Sequence, residues 1–260
     1  MSQMYDRVEF FNAYFRNASE KQLFLDSFTR RAKDKINSEL SILDLGSHDG
    51  SLVLRVLESV NASKNVGINL TAVDPSSAAL ENFSKKNIPK NVSLNCYPAT
   101  AEEYLSKCNR QFDWVIASHC LYWTENLGEV LRRITSCSNS GVIVLRGHKG
   151  IHEIQSKFRQ LLGNEKERLY QADDIESELY LIKVPFERED ITSHIEIPDL
   201  DSREFRWMAS FFLQSDETAL VENNYKDIFR FVTQRGTKFQ HDISFFWFGK
   251  LMMSGHRTST

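Results

Sequence analysis

Ile42-Leu43-Asp44-Leu45-Gly46-Ser47-His48-Asp49-Gly50 is an apolar run that ends in an acid and opens into a loop bounded by two glycines. Ile42, Leu43 and Leu45 follow no helical period and meet a turn signal at once, the pattern of a strand buried on both faces. Gly46 and Gly50 let the backbone turn tightly and let a ligand approach it closely. From Ser51 the pattern changes, with Leu52, Val53, Val56, Leu57 and Val60 marking one face of a helix. The loop therefore sits at a helix N-terminus. One strand-helix unit later, Leu70-Thr71-Ala72-Val73-Asp74 reads as a second strand tipped by an acid. This pairing points to a nucleotide-like cofactor at the edge of a parallel sheet.

The alternation continues downstream. Val92 to Tyr97 reads as a third strand, Ala101 to Lys107 as a short helix and Trp114 to His119 as a fourth strand entered through Phe112-Asp113. Leu127 to Ile134 is an amphipathic helix, and Gly141 to Arg146 a fifth strand. Strands alternating with helices predict a doubly wound, Rossmann-like α/β fold. In such sheets ligands bind beyond the carboxyl ends of the strands, where Asp44 to Gly50, Asp74 and Ser118 to Trp123 all fall. Ile151 to Leu162 and Asp173 to Leu181 read as helices, the second capped by Asp173. Phe186 to Ile197 and Lys238 to Lys250 read as the last two of seven strands, paired as an antiparallel unit at the sheet edge. The expected organisation is an aromatic helical lid over 1–36, a cofactor-binding core over 37–197, a helical lid insertion over 198–237 and the last strand over 238–253.

Two cofactor classes are excluded by detail. A dinucleotide loop needs Gly-x-Gly-x-x-Gly, and here His48 and Ser51 replace two of the three glycines. A phosphate-binding loop ending in Gly-Lys-Ser/Thr is absent. What remains, Asp-Leu-Gly-x-x-x-Gly followed by Val73-Asp74-Pro75-Ser76, resembles the cofactor pattern of class I S-adenosylmethionine-dependent methyltransferases. The resemblance implies S-adenosylmethionine as cofactor, with Asp74 accepting the ribose hydroxyls beside Pro75. It makes Gly46 the loop position against the methionine moiety, and Asp44 an acid that orders the loop. Ser47, His48 and Gly50 line the same loop, and Thr100 and Ala101 lie where relatives surround the adenine. Asp74 as a plain helix cap before Pro75-Ser76 is the competing reading.

The segment from Phe112 to Trp123 is similar to the fourth-strand motif of small-molecule methyltransferases, whose residues leaving the strand face donor and acceptor. Ser118 would face the cofactor there. His119 would take a proton from, or hydrogen-bond, the acceptor. Tyr122 and Trp123 would offer ring faces to a cation, or else pack as core aromatics. More narrowly, the whole chain resembles the histamine N-methyltransferase group. The leader from Phe11 through Tyr14 to Glu20 is similar to the group's segment in which aromatics precede a glutamate that holds the substrate amine. That implies Glu20 as the acceptor-binding acid and Phe11 and Tyr14 as pocket walls. His119 stands where the group has a substrate-binding glutamine, and His241 where its last strand supplies an asparagine. These differences put histamine itself in doubt.

The leading expectation is methyl transfer to a small molecule, foremost at an amine or imidazole nitrogen. The alternatives are carboxylate O-methylation, consumption of the aminobutyrate arm of S-adenosylmethionine, and a catalytically silent cofactor-binding subunit. A net charge of −3 gives no footprint for nucleic acid or an anionic membrane, and the fourth strand lacks the proline motif of base methylation. The four cysteines have no Cys-x-x-Cys spacing, so neither a metal site nor a disulfide framework is expected, which suits the cytoplasm. Glu125 alone makes no metal site after the fourth strand. No signal peptide or membrane-spanning run stands out, and oligomeric state is left open.

Overall fold

The computed structural model describes residues 7–32, 39–61, 66–122, 124–163 and 169–249. Trp123, residues 1–6 and 33–36 of the leader, and 250–253 after the last strand lie outside the described residues, as does the Val60 side chain. In chain order the elements are α1 (Val8–Asn17), α2 (Glu20–Ala32), β1 (Leu40–Leu45), α3 (Ser51–Asn61), β2 (Ile68–Asp74), α4 (Ser77–Ser84), β3 (Val92–Pro98), α5 (Ala101–Lys107), β4 (Phe112–Ser118) and α6 (Leu127–Ser136). There follow β5 (Ser138–Arg146), α7 (Ile151–Lys157), α8 (Ala172–Leu181), β6 (Phe186–Glu196), α9 (Arg203–Leu213), α10 (Glu222–Val232) and β7 (Lys238–Gly249).

The strands form a seven-stranded sheet in the order β3-β2-β1-β4-β5-β7-β6, with β7 antiparallel. β1 pairs in parallel with both β2 and β4, and β4 with β5, so Asp44, Asp74 and Ser118 are delivered at the same carboxyl edge. The expected Rossmann-like α/β sheet with an antiparallel last strand is what forms. Burial explains why: Leu43, Leu45, Leu70, Ala72, Val115, Ala117, Val142 and Ile143 are all fully enclosed, as strands covered on both faces require.

The chain divides into two compact units. One comprises Phe24–Leu145, Tyr170–Glu189 and Ser244–Thr260 and carries β1 to β4. In it Phe28 packs on Trp114 and Trp247, and Trp247 Nε1 donates to Glu189 at 3.1 Å. The other comprises Met1–Leu23, Arg146–Leu169 and Asp190–Ile243. Its core joins α1, α7, α9 and α10 through Tyr14, Ile154, Phe205, Met208, Phe212 and Ile228.

Three local expectations need correction. β4 stops at Ser118, not His119, because His119 turns into the left-handed region at φ +56. The helix expected over 151–162 ends at Lys157, where Phe158 at φ −112, ψ 35 leaves helical geometry, and continues as a 3-10 turn, Arg159–Leu161. The cap of α8 is not Asp173: the Asp174 carboxylate accepts from Gln171 N at 2.9 Å, while Asp173 lies inside the first turn and accepts from Arg188. Among the described residues no helix is long and apolar enough to cross a membrane, no group of three or more His, Cys, Asp and Glu could hold a metal, and the four cysteines are free thiols.

Candidate active site

In the first unit the loop after β1 is built by its own backbone. Gly46 N and Ser47 N both donate to Val73 O, at 2.8 and 3.1 Å, which pins the loop to the end of β2. Gly46 and Gly50 each sit at φ +72, and His48, with no such freedom, is held at φ +46. A Cβ on Gly46 would stand 2.4 Å from Cys120 Cβ, so what excludes a side chain here is the segment leaving β4. At Gly50 the neighbour is the Phe83 ring, which a Cβ would meet at 2.3 Å.

Three carboxylates converge on this loop. Asp44, buried, accepts from Ser47 Oγ at 2.6 Å. Asp74, also buried, accepts from His48 N at 2.8 Å through one oxygen and from Ser76 N at 2.9 Å through the other. The cap of α4 is Ser76, whose Oγ accepts from Ala79 N, so Asp74 is not that helix's N-cap residue. Asp49, which the sequence pattern did not single out, accepts from Ser51 N and Oγ and from Lys86 Nζ at 2.7 Å. Burial alone would raise its carboxyl, yet hydrogen bonds from His48, Lys86 and Ser51 outweigh this and hold it far below the carboxylate range. The Cys120 thiol is pushed up instead, by burial first and then by the charges of Asp44 and Asp74.

The rest of that edge is fixed around the loop. Pro75 is exposed. Thr100 caps α5 in a reciprocal box with Glu103, at 3.1 and 2.9 Å, with Ala101 as the first helical residue. Ala99 N donates to Asp74 O at 3.1 Å. After Ser118, His119 N donates to Val144 O at 2.9 Å and its Nδ1 lies 2.5 Å from the Tyr122 hydroxyl. Tyr122 is buried, and its carbonyl accepts from Tyr170 N.

The second unit brings Glu20, His241 and Tyr14 together. His241 Nε2 lies 3.3 Å from Glu20 Oε2, and the imidazole meets the Tyr14 ring edge-on at 6.3 Å. Tyr14 stacks on Phe211 at 4.7 Å, and Phe11 lies 6.1 Å from the same ring. Two partners escape the sequence pattern. Lys21 Nζ sits 2.8 Å from Glu20 Oε1, with side-chain exposures of 7% and 1%, so the carboxylate already holds a cation. Gly150, at φ +89, presents only backbone to His241, where a Cβ would stand 2.4 Å from Nδ1.

The donor set suits S-adenosylmethionine. Asp44, Asp49 and Asp74 supply negative charge for a ligand bearing an ammonium and a sulfonium, and a carboxylate oxygen has lone pairs for more than one donor, so the backbone and side-chain bonds described leave capacity for ribose hydroxyls. A methyltransferase domain profile matches residues 15–179, well over half of the chain. No curated protein matches in sequence at a significant level. Solved structures show the same fold. The plantazolicin methyltransferase BpumL in complex with SAH is 18% identical over 95% of this chain and 93% of its own, with a TM-score of 0.52. Loganic acid methyltransferase with SAH is 10% identical over 88% and 92%, TM-score 0.57, and the YcgJ protein from Bacillus subtilis 12% over 87% and 97%, TM-score 0.59. The matched profile, the sheet order and the acid-lined glycine loop together show that the chain belongs to the methyltransferase domain family, as an S-adenosylmethionine-dependent methyltransferase.

Proposed function

We propose that the acceptor is a small molecule and that it is handled by the segment leaving β4. The observation that carries this reading is the meeting of Gly46, Asp44 and Cys120 at one edge, which sets His119 and Tyr122 one step beyond the cofactor loop. Asp74 accepts the ribose hydroxyls, Pro75, Thr100 and Ala101 border the adenine, and Ser47, His48, Gly50 and Ser118 line the methionine end. Bound there, S-adenosylmethionine supplies an electrophilic methyl group on a positively charged sulfur. The chain's own task is to hold the acceptor in line and exclude other nucleophiles. A net charge of −3 favours a small acceptor over a polyanion, and free thiols suit a reducing cytoplasm.

The narrower resemblance to the histamine N-methyltransferase group supports a nitrogen acceptor, with Glu20 holding its amine, Phe11 and Tyr14 as walls and His241 beside it. Lys21 weakens that support, because its ammonium takes the place the amine would need. The test is mass spectrometry of the protein incubated with S-adenosylmethionine, alone and with amines, imidazoles and small carboxylic acids. S-adenosylhomocysteine with a methylated product supports the reading. Methylthioadenosine formed without any acceptor would overturn it, because the aminobutyrate arm would then be the group consumed.

A further inference from the structure

The short helix α4 meets the loop after β1 at both of its ends. At its start, Asp74 accepts from His48 N and from Ser76 N, and Ser76 caps the helix. At its finish, the Phe83 ring stands against Gly50, where a Cβ would meet it at 2.3 Å. Lys86 lies in the turn that closes α4, its backbone N–H donating to Phe83 O at 3.0 Å. Its side chain reaches back to the loop, and Nζ donates to Asp49 Oδ2 at 2.7 Å and to Ser51 Oγ at 2.6 Å. The Ser51 hydroxyl donates in turn to the same Asp49 oxygen at 2.9 Å, and Ser51 N donates to the other at 3.0 Å. Ammonium, hydroxyl and carboxylate thus close a ring of three bonds.

We infer that Lys86 is a positioning residue for S-adenosylmethionine, acting through Asp49 and Ser51 to hold the loop in the shape that receives the methionine end. This rests on the reading of Gly46 to Gly50 as the cofactor loop and names the side chain that fixes it. The bonds from Ser51 to Asp49 span two residues, so they shape the loop without tying it to anything outside. Lys86 is 37 residues away along the chain and supplies that tie. It is needed because His48 sits at φ +46, a conformation that persists in a residue other than glycine only when its surroundings impose it. Asp74 holds the His48 amide on one side, and Lys86 holds the next residue on the other. Asp49 is buried, and its burial is offset by bonds from His48, Lys86 and Ser51. Of these, Lys86 alone lies beyond the loop and the start of α3. A loop that populates other shapes binds more weakly in proportion to the time spent in them.

Calorimetric titration of the full chain with S-adenosylhomocysteine tests this, since that ligand has no net charge and reports loop geometry. Lys86→Met keeps an unbranched stem and removes the ammonium. It is expected to weaken binding about tenfold, the effect of losing one charge-assisted bond. Lys86→Arg restores charge and donors and should stay within about threefold of wild type. Binding by Lys86→Met at the wild-type level, or equal losses in the two variants, would overturn the inference. In an Asp49→Asn background, Lys86→Met should cost less than about threefold more, because the carboxylate it acts through is gone. A full tenfold loss in both backgrounds would overturn the action through Asp49. S-adenosylmethionine carries one net positive charge and should lose affinity by the same factor. If it gains affinity while S-adenosylhomocysteine is unaffected, Lys86 merely repels a cation and positions nothing. Lys86 is partly exposed, and urea midpoints taken without ligand establish that the variants titrated are folded. A wild type that binds neither ligand would overturn the reading of the loop itself, whereas a wild type that binds both, with an unaffected Lys86→Met, removes Lys86 alone.

Discussion

Gly46→Ala isolates the close approach of the loop after β1 to the segment leaving β4. The substitution has two separable costs. An L-residue at φ +72 loses about 1–2 kcal/mol against the right-handed region. The added methyl stands 2.4 Å from Cys120 Cβ, well inside van der Waals contact, and forcing a methyl group into a packed site costs about 1–3 kcal/mol. Together they predict a loss of about 3 kcal/mol, a large share of the roughly 5–15 kcal/mol that holds a domain folded. Equilibrium urea denaturation at constant slope measures it. A double-mutant cycle then separates the parts. Cys120→Gly removes the colliding Cβ and should return about 1–3 kcal/mol of the Gly46→Ala loss, leaving the dihedral cost. Cys120→Ala keeps that carbon, removes only the Sγ contact at 3.3 Å and should return far less. A loss below about 0.5 kcal/mol for Gly46→Ala, or equal rescue by the two Cys120 variants, would refute the close approach of the two segments.

Other expectations follow from the same geometry. Asp74→Ala should abolish S-adenosylmethionine binding in calorimetry, and unchanged affinity would remove the ribose assignment. The Asp49 carboxyl is depressed below its ordinary 3.8, so its stabilisation is fully present above that pH and fades as pH falls through the lower folded value. Urea midpoints taken from pH 5 downward should therefore drop more steeply for the wild type than for Asp49→Asn, and parallel curves would contradict this. Lys21→Met leaves Glu20 buried without its ammonium and should cost about 3–5 kcal/mol, most of it recovered in the double variant with Glu20→Gln. Chemical denaturation in which the double variant is no more stable than Lys21→Met alone would argue against that pair.

Much of the sheet was readable because its signals are local. The run from Ile42 to Gly50 names a strand and its stop, and α5 begins where its pattern says because Thr100 and Glu103 form a cap within four residues. The site was readable only in part. Positive φ at His48 and His119 leaves no mark in a sequence, since neither is glycine and tertiary bonds to Asp74 and Val144 hold them there. The approach of Cys120 to Gly46 arises from the pairing of β1 with β4, a partner choice that periodicity does not specify. Lys21 beside Glu20 reads as an ordinary exposed helix start, because adjacent helical residues do not normally face each other, and only burial makes the pair matter. The α8 cap is obscure in the sequence for a similar reason: Gln171 is a poor capping type, and Asp174 reaches back to supply what it lacks.

The position of β7 has a consequence for how the molecule assembles. It is the latest of the seven strands along the chain, yet it occupies an interior place between β5 and β6. Translation therefore delivers the other six strands, and the helices between them, before the strand that closes the sheet exists, and until then two strand edges that end up paired stay open to the wrong neighbour. Late insertion between strands already present is a long-range event, and such events are slow. Nascent chains halted before Lys238 should thus be the species that needs a chaperone most.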